Sequence, residues 1–136
     1  LAKALVKAGY VSSVTEAFNT LIGDNGPGFV PTQLLSPMEA VDLVLVSGGV
    51  PIWAHPPTDL IDTLLPDLLE AGLRGLEVYR PRHWQAHIPR YEEICRSAGL
   101  VMSGGSDWHN PDQGTSLGDF FVSGEEIQDL LTLGGI

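Results

Sequence analysis

Three short stretches of the chain hold side chains that bind metals or move protons. The densest is Ser103-Gly104-Gly105-Ser106-Asp107-Trp108-His109, where a carboxylate and an imidazole stand two residues apart. Alternate residues of an extended segment point the same way, so Asp107 and His109 can grip one divalent cation or neighbouring ones. The plainer alternative is that Asp107 caps the next turn and His109 is merely exposed, since short motifs often mislead. A second histidine stands in Ala54-His55-Pro56. Alone it reads as a satisfied histidine beside a turn; on one rim with Asp107 and His109 it reads as a third ligand. The third stretch runs from Glu77 through Tyr79, Arg80 and Arg82 to His83. Guanidinium forks match phosphate oxygens, so Arg80, Arg82 and Arg90, with His83, suit an anionic substrate. The alternative there is a solvated surface, with Glu77 paired to a nearby arginine and Glu92 to Arg96.

Such residues act together only if the fold brings them to one place. Apolar runs over residues 50–54, 75–79, 100–103 and 117–122 read as strands, and each of the first three is followed by one of the polar stretches. Between them lie amphipathic helices. Ser36, Pro37 and Glu39 open one that ends at Gly48, residues 59–71 form a second with Pro66 inside it, and Ile88 to Ala98 mark a third. Ser123 caps a last helix through Leu131. Strands alternating with helices through short glycine turns imply parallel βα units, whose ligands gather at the carboxyl ends of the strands. Residues 1–35 differ. They read as a helix over 1–8 and a second, opened by a Ser13–Glu16 capping box, that carries Ala17, Phe18, Leu21 and Ile22 before Gly23.

Composition bounds the rest. The chain has 136 residues, 43% of them hydrophobic, which is too apolar for a disordered segment. Cys95 is the single cysteine, so no internal disulfide forms, as suits a reducing, cytoplasmic setting. No apolar run approaches the ~18 residues of a membrane span. The net charge of −10 argues against a broad nucleic-acid-binding face. That charge is uneven: residues 74–98 carry five of the seven basic residues and a net charge of +2.

In this order, the motifs resemble the carboxyl-terminal portion of a PHP (polymerase and histidinol phosphatase) domain. The resemblance extends from Ala4-Leu5-Val6-Lys7-Ala8-Gly9-Tyr10-Val11 through Phe29-Val30-Pro31, Gly48-Gly49-Val50-Pro51 and Ala54-His55-Pro56. It continues through Gly75-Leu76-Glu77-Val78-Tyr79, Gly104-Gly105-Ser106-Asp107-Trp108-His109 and Leu117-Gly118. The branch it is most similar to comprises nucleoside 3′,5′-bisphosphate phosphatases and 5′-3′ exoribonucleases. The resemblance implies an α/β fold, part of a distorted (βα)7 barrel over 36–136, with an α-helical insertion over 1–35. It implies two or three divalent ions (Mn, Fe, Zn or Mg) with His55, Asp107 and His109 among their ligands. The family's opening His-x-His motif and its next histidine and glutamate ligands have no counterpart here and would lie before Leu1. Its basic residue before Phe29-Val30-Pro31 is replaced by Gly26-Pro27-Gly28.

The expectation is therefore a metal-dependent phosphoesterase, of which this chain is an incomplete and, alone, inactive portion. Asp107 would bridge or orient the attacking water with His109 beside it, and His83, Arg80, Arg82 and Arg90 would hold a small phosphorylated nucleotide or a short RNA 5′ end. Two alternatives stay open: an amidohydrolase-like metal hydrolase, and a degenerate PHP-type module without catalysis.

Overall fold

The computed structural model describes residues 1–31, 34–109 and 116–135, and of Arg82 and His83 the backbone alone. The chain forms two compact units, Leu1–Leu34 and Leu35–Ile136.

The first unit contains α1 (Ala2–Lys7), α2 (Val14–Ala17) and a π-helical turn, Phe18–Ile22. The Ser13 hydroxyl accepts the Glu16 N–H at 3.0 Å, but the Glu16 carboxylate returns to the Ser12 N–H at 2.8 Å, one residue earlier than a capping box requires. The helix expected to reach Ile22 widens instead. Thr20 donates its hydroxyl to the Glu16 carbonyl at 2.7 Å, and the Gly23 N–H closes a wide turn on the Phe18 carbonyl at 2.9 Å. Ala2, Val11 and Ala17 form its small core, flanked by Leu5, Val6, Leu21 and Ile22.

The second unit alternates α3 (Pro37–Val46), β1 (Ile52–Trp53), α4 (Ile61–Glu70), β2 (Gly75–Tyr79), a 3₁₀ segment (Arg82–His87), α5 (Ile88–Ala98), β3 (Val101–Gly104) and α6 (Gln128–Gly134). The three strands are parallel in the order β1-β2-β3, so the expected βα units are present. α3 opens on a reciprocal capping box, Ser36 N–H to Glu39 at 2.7 Å and Glu39 N–H to the Ser36 hydroxyl at 3.2 Å. Pro66 neither ends nor divides α4. Burial of Ile61 and Leu68 on its inner face outweighs the one hydrogen bond the proline removes.

Central β2 buries Gly75, Leu76 and Val78, as a parallel strand covered on both faces does. Val41, Ile61, Leu68, Leu73, Tyr91, Cys95 and Leu100 complete the core around it. Beside edge strand β1, an apolar groove of about 460 Å³ runs between α3 and α4, with Val41, Val44, Trp53 and Leu64 in its walls.

Two expected elements differ. Residues 117–122 are turn and coil rather than a strand, because a local turn takes their backbone groups: the Asp119 N–H bonds to the Ser116 carbonyl at 3.1 Å, and the Ser116 N–H to the Asp119 carboxylate at 2.7 Å. The Ser123–Glu126 cap does form, with the Glu126 N–H 3.3 Å from the Ser123 hydroxyl, yet turns follow it and the helix starts only at Gln128. Among the described residues no helix is long and apolar enough to cross a membrane.

Candidate metal centre

Each parallel strand delivers one part of the site. β1 ends at Trp53, and His55 follows with φ +49°; β3 ends at Gly104, and Asp107 follows with φ +53°. Among the described residues these are the two non-glycine positions with positive φ. That region costs an L-residue roughly 1–2 kcal/mol, and such strain concentrates where a side chain must be aimed. The two strained residues point at each other: His55 Nε2 lies 3.3 Å from Asp107 Oδ1.

β2 holds them in place. The Glu77 carboxylate accepts the His55 N–H at 2.9 Å, fixing the backbone where it is strained. The Tyr91 hydroxyl, buried on α5, donates to the Pro56 carbonyl at 2.7 Å and fastens the other side of His55. Burial pushes the Tyr91 hydroxyl above its usual range, so it keeps its proton and stays a donor. On the β3 side the register slips: Glu77 faces Ser103 and Tyr79 faces Gly104, two residues of β2 against one of β3. A Cβ on Gly104 would lie 2.4 Å from the Tyr79 carbonyl oxygen, so only glycine allows this close passage.

Arg80 occupies the middle of the cluster. It is only 9% exposed, its Nη2 lies 2.7 Å from His55 Nδ1, and its guanidinium stacks on the Trp84 ring at 4.6 Å. Its Nε is 3.5 Å from Glu77 Oε2, an ion-pair separation without hydrogen-bond alignment. His109 turns back on its own loop, its Nδ1 2.7 Å from the Asp107 carbonyl oxygen. A carbonyl only accepts, so Nδ1 carries the proton and Nε2 the lone pair. That is the tautomer a metal-binding histidine takes when its other nitrogen bonds to a backbone carbonyl.

The donor types suit a divalent cation, with two imidazoles and a carboxylate from two strand ends. The 3.3 Å between His55 Nε2 and Asp107 Oδ1 matches donors sharing one ion, since metal bonds of about 2.0–2.2 Å in a tetrahedron set their ends roughly 3.4 Å apart. Among the described residues no set of three His, Cys, Asp or Glu side chains is arranged to hold an ion.

The other predicted contacts fall in different places. The side chains of Arg82 and His83 lie outside the described residues. Arg90 bonds to Asp62 at 2.7 Å and so joins α5 to α4. Arg96 pairs with Glu92 and Glu93, each at 3.5 Å, on an exposed face. Glu77, Trp84 and Tyr91 are supporting residues that sequence reading missed as such. Glu77 reads from the sequence as a rim residue or as the partner of an arginine, and nothing in its spacing shows that it receives the His55 backbone.

The chain is 44% identical over 72 residues to the phosphoribosyl 1,2-cyclic phosphate 1,2-diphosphodiesterase of Eggerthella lenta, covering 52% of this chain and 27% of that protein. It is 31% identical over 118 residues to the 3′,5′-nucleoside bisphosphate phosphatase of Chromobacterium violaceum, covering 83% and 41%. It is 27% identical over 122 residues to the 5′-3′ exoribonuclease Rnm of Escherichia coli, covering 86% and 42%. The chain is a relative of the PHP-type phosphoesterases. Solved structures resemble most of the chain. A metal-dependent phosphoesterase from Bifidobacterium adolescentis superposes with a TM-score of 0.75 at 30% identity, over 98% of this chain and 49% of that one. A Chromobacterium violaceum structure described as an amidohydrolase with bound sulfate and no metal gives 0.68 at 29% identity, over 87% and 45%. The chain thus spans about half or less of the length of each of these proteins. No protein-family model matches it.

Proposed function

We propose that the chain forms one part of a metal-dependent phosphoesterase that hydrolyses phosphate esters of nucleotides or the 5′ ends of short RNA. The observation that carries this reading is the meeting of His55 and Asp107. Two side chains carried on strained backbone beyond the ends of β1 and β3 converge at 3.3 Å, a costly arrangement for a surface with no ligand to hold. The relatives' names supply the substrate class. In this reading β1, β2 and β3 are successive strands of a distorted (βα)7 barrel, and residues 1–35 are a helical insertion.

His55, Asp107 and His109 hold the cation or cations, and Asp107 also orients the attacking water. When bound, divalent ions generate a nucleophile at neutral pH and offset the charge that develops on the phosphoryl group. Arg80, Arg82 and His83 receive the phosphate, joined by Arg90 if it leaves Asp62. Divalent ions take four to six or more ligands, so these three side chains leave positions for other groups to fill. The chain alone therefore binds metal weakly and catalyses little.

Calorimetric titration of the chain with Zn²⁺ and Mn²⁺ tests the ligand set. Binding weakened about tenfold or more in both Asp107→Asn and His109→Ala supports it, and unchanged binding in both overturns it. The full-length gene product should then hydrolyse a nucleoside 3′,5′-bisphosphate or a short 5′-phosphorylated RNA. The likeness to a structure described as an amidohydrolase raises a second reading, hydrolysis of a cyclic amide by the same ligands. Turnover of a cyclic amide with none of a bisphosphate would decide for that reading.

A further inference from the structure

Among the described residues Arg80 is the buried charged side chain, 9% exposed, yet its surroundings use little of its hydrogen-bonding capacity. A guanidinium carries five N–H donors in a fixed fork. Nη2 meets His55 Nδ1 at 2.7 Å, while Nε is buried with no hydrogen-bond partner. Glu77 does not close the fork. Its Oε2 stands 3.5 Å from Nε and out of alignment, and the same oxygen accepts the His55 N–H at 2.9 Å. The carboxylate offsets the charge and leaves donors unused. An arginine buried for the fold alone is stabilised by bidentate pairing, because an unmet buried donor costs more than an ordinary hydrogen bond returns.

What holds this guanidinium is an aromatic ring. The Trp84 N–H bonds to the Pro81 carbonyl at 2.9 Å, and this turn sets the indole, four residues on, against Arg80 at 4.6 Å. The ring is braced in turn by His87 at 4.7 Å and by Tyr91 at 5.4 Å, and Tyr91 is fastened to the Pro56 carbonyl at 2.7 Å. Trp84 stands there at a cost, since its indole Nε1 is also buried without a partner. Tryptophan offers the strongest cation–π face, and the stack fixes the guanidinium while taking none of its N–H groups.

We propose that Trp84 is a positioning residue for phosphate: its ring holds the Arg80 guanidinium in place and leaves the N–H fork to an oxyanion. This rests on the reading of Arg80 as a phosphate contact. The ligand class is a phosphate monoester group, whose oxygens match the fork.

The test titrates the 136-residue chain with inorganic phosphate and follows the Arg80 Nε–H resonance in ¹H–¹⁵N spectra. Trp84→Leu and Trp84→Met fill the space without a π face, and Trp84→Phe restores a ring without the indole N–H. Circular dichroism and thermal melts confirm that each variant folds. The expected result is an Arg80 signal that moves with phosphate in the wild type. Phosphate should bind about tenfold more weakly to the leucine and methionine variants, and to within about threefold of wild type in Trp84→Phe. Wild-type affinity in the two aliphatic variants overturns the positioning role and leaves Arg80 as a phosphate contact. Binding as weak in Trp84→Phe as in those variants also overturns it, since a ring would then not suffice. An Arg80 signal that phosphate never moves in the wild type overturns the phosphate reading of Arg80, and the role of Trp84 with it.

Discussion

A left-handed backbone at His55 and Asp107 separates what these residues cost from what they do. Asparagine tolerates that conformation at least as well as aspartate and keeps the side-chain shape. Asp107→Asn should therefore leave thermal stability within about 0.5 kcal/mol of the parent chain. The same substitution removes the carboxylate charge proposed to hold a cation. Calorimetry should then show the metal affinity down about tenfold or more while the melting curve hardly moves. A large loss of stability would mean that the carboxylate works for the fold rather than for a ligand. At this scale the sequence was informative about identity and silent about geometry. The spacing of Asp107 and His109 and the presence of His55 at another strand's end were legible. That Arg80 would cover His55, and that Arg90 would join Asp62, depend on side-chain paths that no spacing encodes.

Elements position the site through their ends, and two of those ends make measurable claims. The β2–β3 slip depends on Gly104, whose added Cβ would strike the Tyr79 carbonyl backbone at 2.4 Å. Backbone cannot yield as a flexible side chain does, so Gly104→Ala should cost about 2–3 kcal/mol in urea unfolding and loosen the Asp107 loop. At α3, Ser36→Ala should cost about 1 kcal/mol through the lost cap. The backbone N–H and hydroxyl of Ser36 hold the Glu39 carboxyl below its usual range. A depressed carboxyl stabilises the folded chain above its unfolded value and loses that contribution as pH falls through the folded one. Acid titration of Glu39→Gln should consequently show a shallower loss of stability below about pH 4.5 than the parent chain. The α3 cap, the whole of β2, and α5 with its stop at Gly99 were legible, because capping residues and apolar periodicity act locally. The stretch from Leu117 to Val122 was not. Its apolar run looks like a strand, but Gly118 at φ +94° and the Ser116–Asp119 bonds commit the backbone to a turn.

Across the molecule, one buried thiol connects the core to pH. Cys95 is fully buried between α5 and the sheet, and burial pushes its thiol up to about 11 from an ordinary value of 9. Between those values the folded chain keeps a proton that the unfolded chain releases. Stability should therefore fall as pH rises from about 9 to about 11, and Cys95→Ala should flatten that part of the profile in denaturant titrations. Tyr79 and Tyr91, both raised by burial, act with the same sign at more alkaline pH. The larger organisation was only partly open to sequence. Parallel βα units were, because strands and helices alternate visibly; the order β1-β2-β3 rests on long-range pairings that no local pattern encodes.

The three tryptophans divide by neighbourhood. Trp84 lies beneath the Arg80 guanidinium, Trp108 stands between Asp107 and His109 in sequence, and Trp53 lines the apolar groove. Emission from the first two is thus an optical gauge of the ligand cluster, and Trp53→Phe would clear the signal of the groove. Mn²⁺, a paramagnetic quencher, should then darken the remaining indoles if it binds beside Asp107, with no label added to the protein.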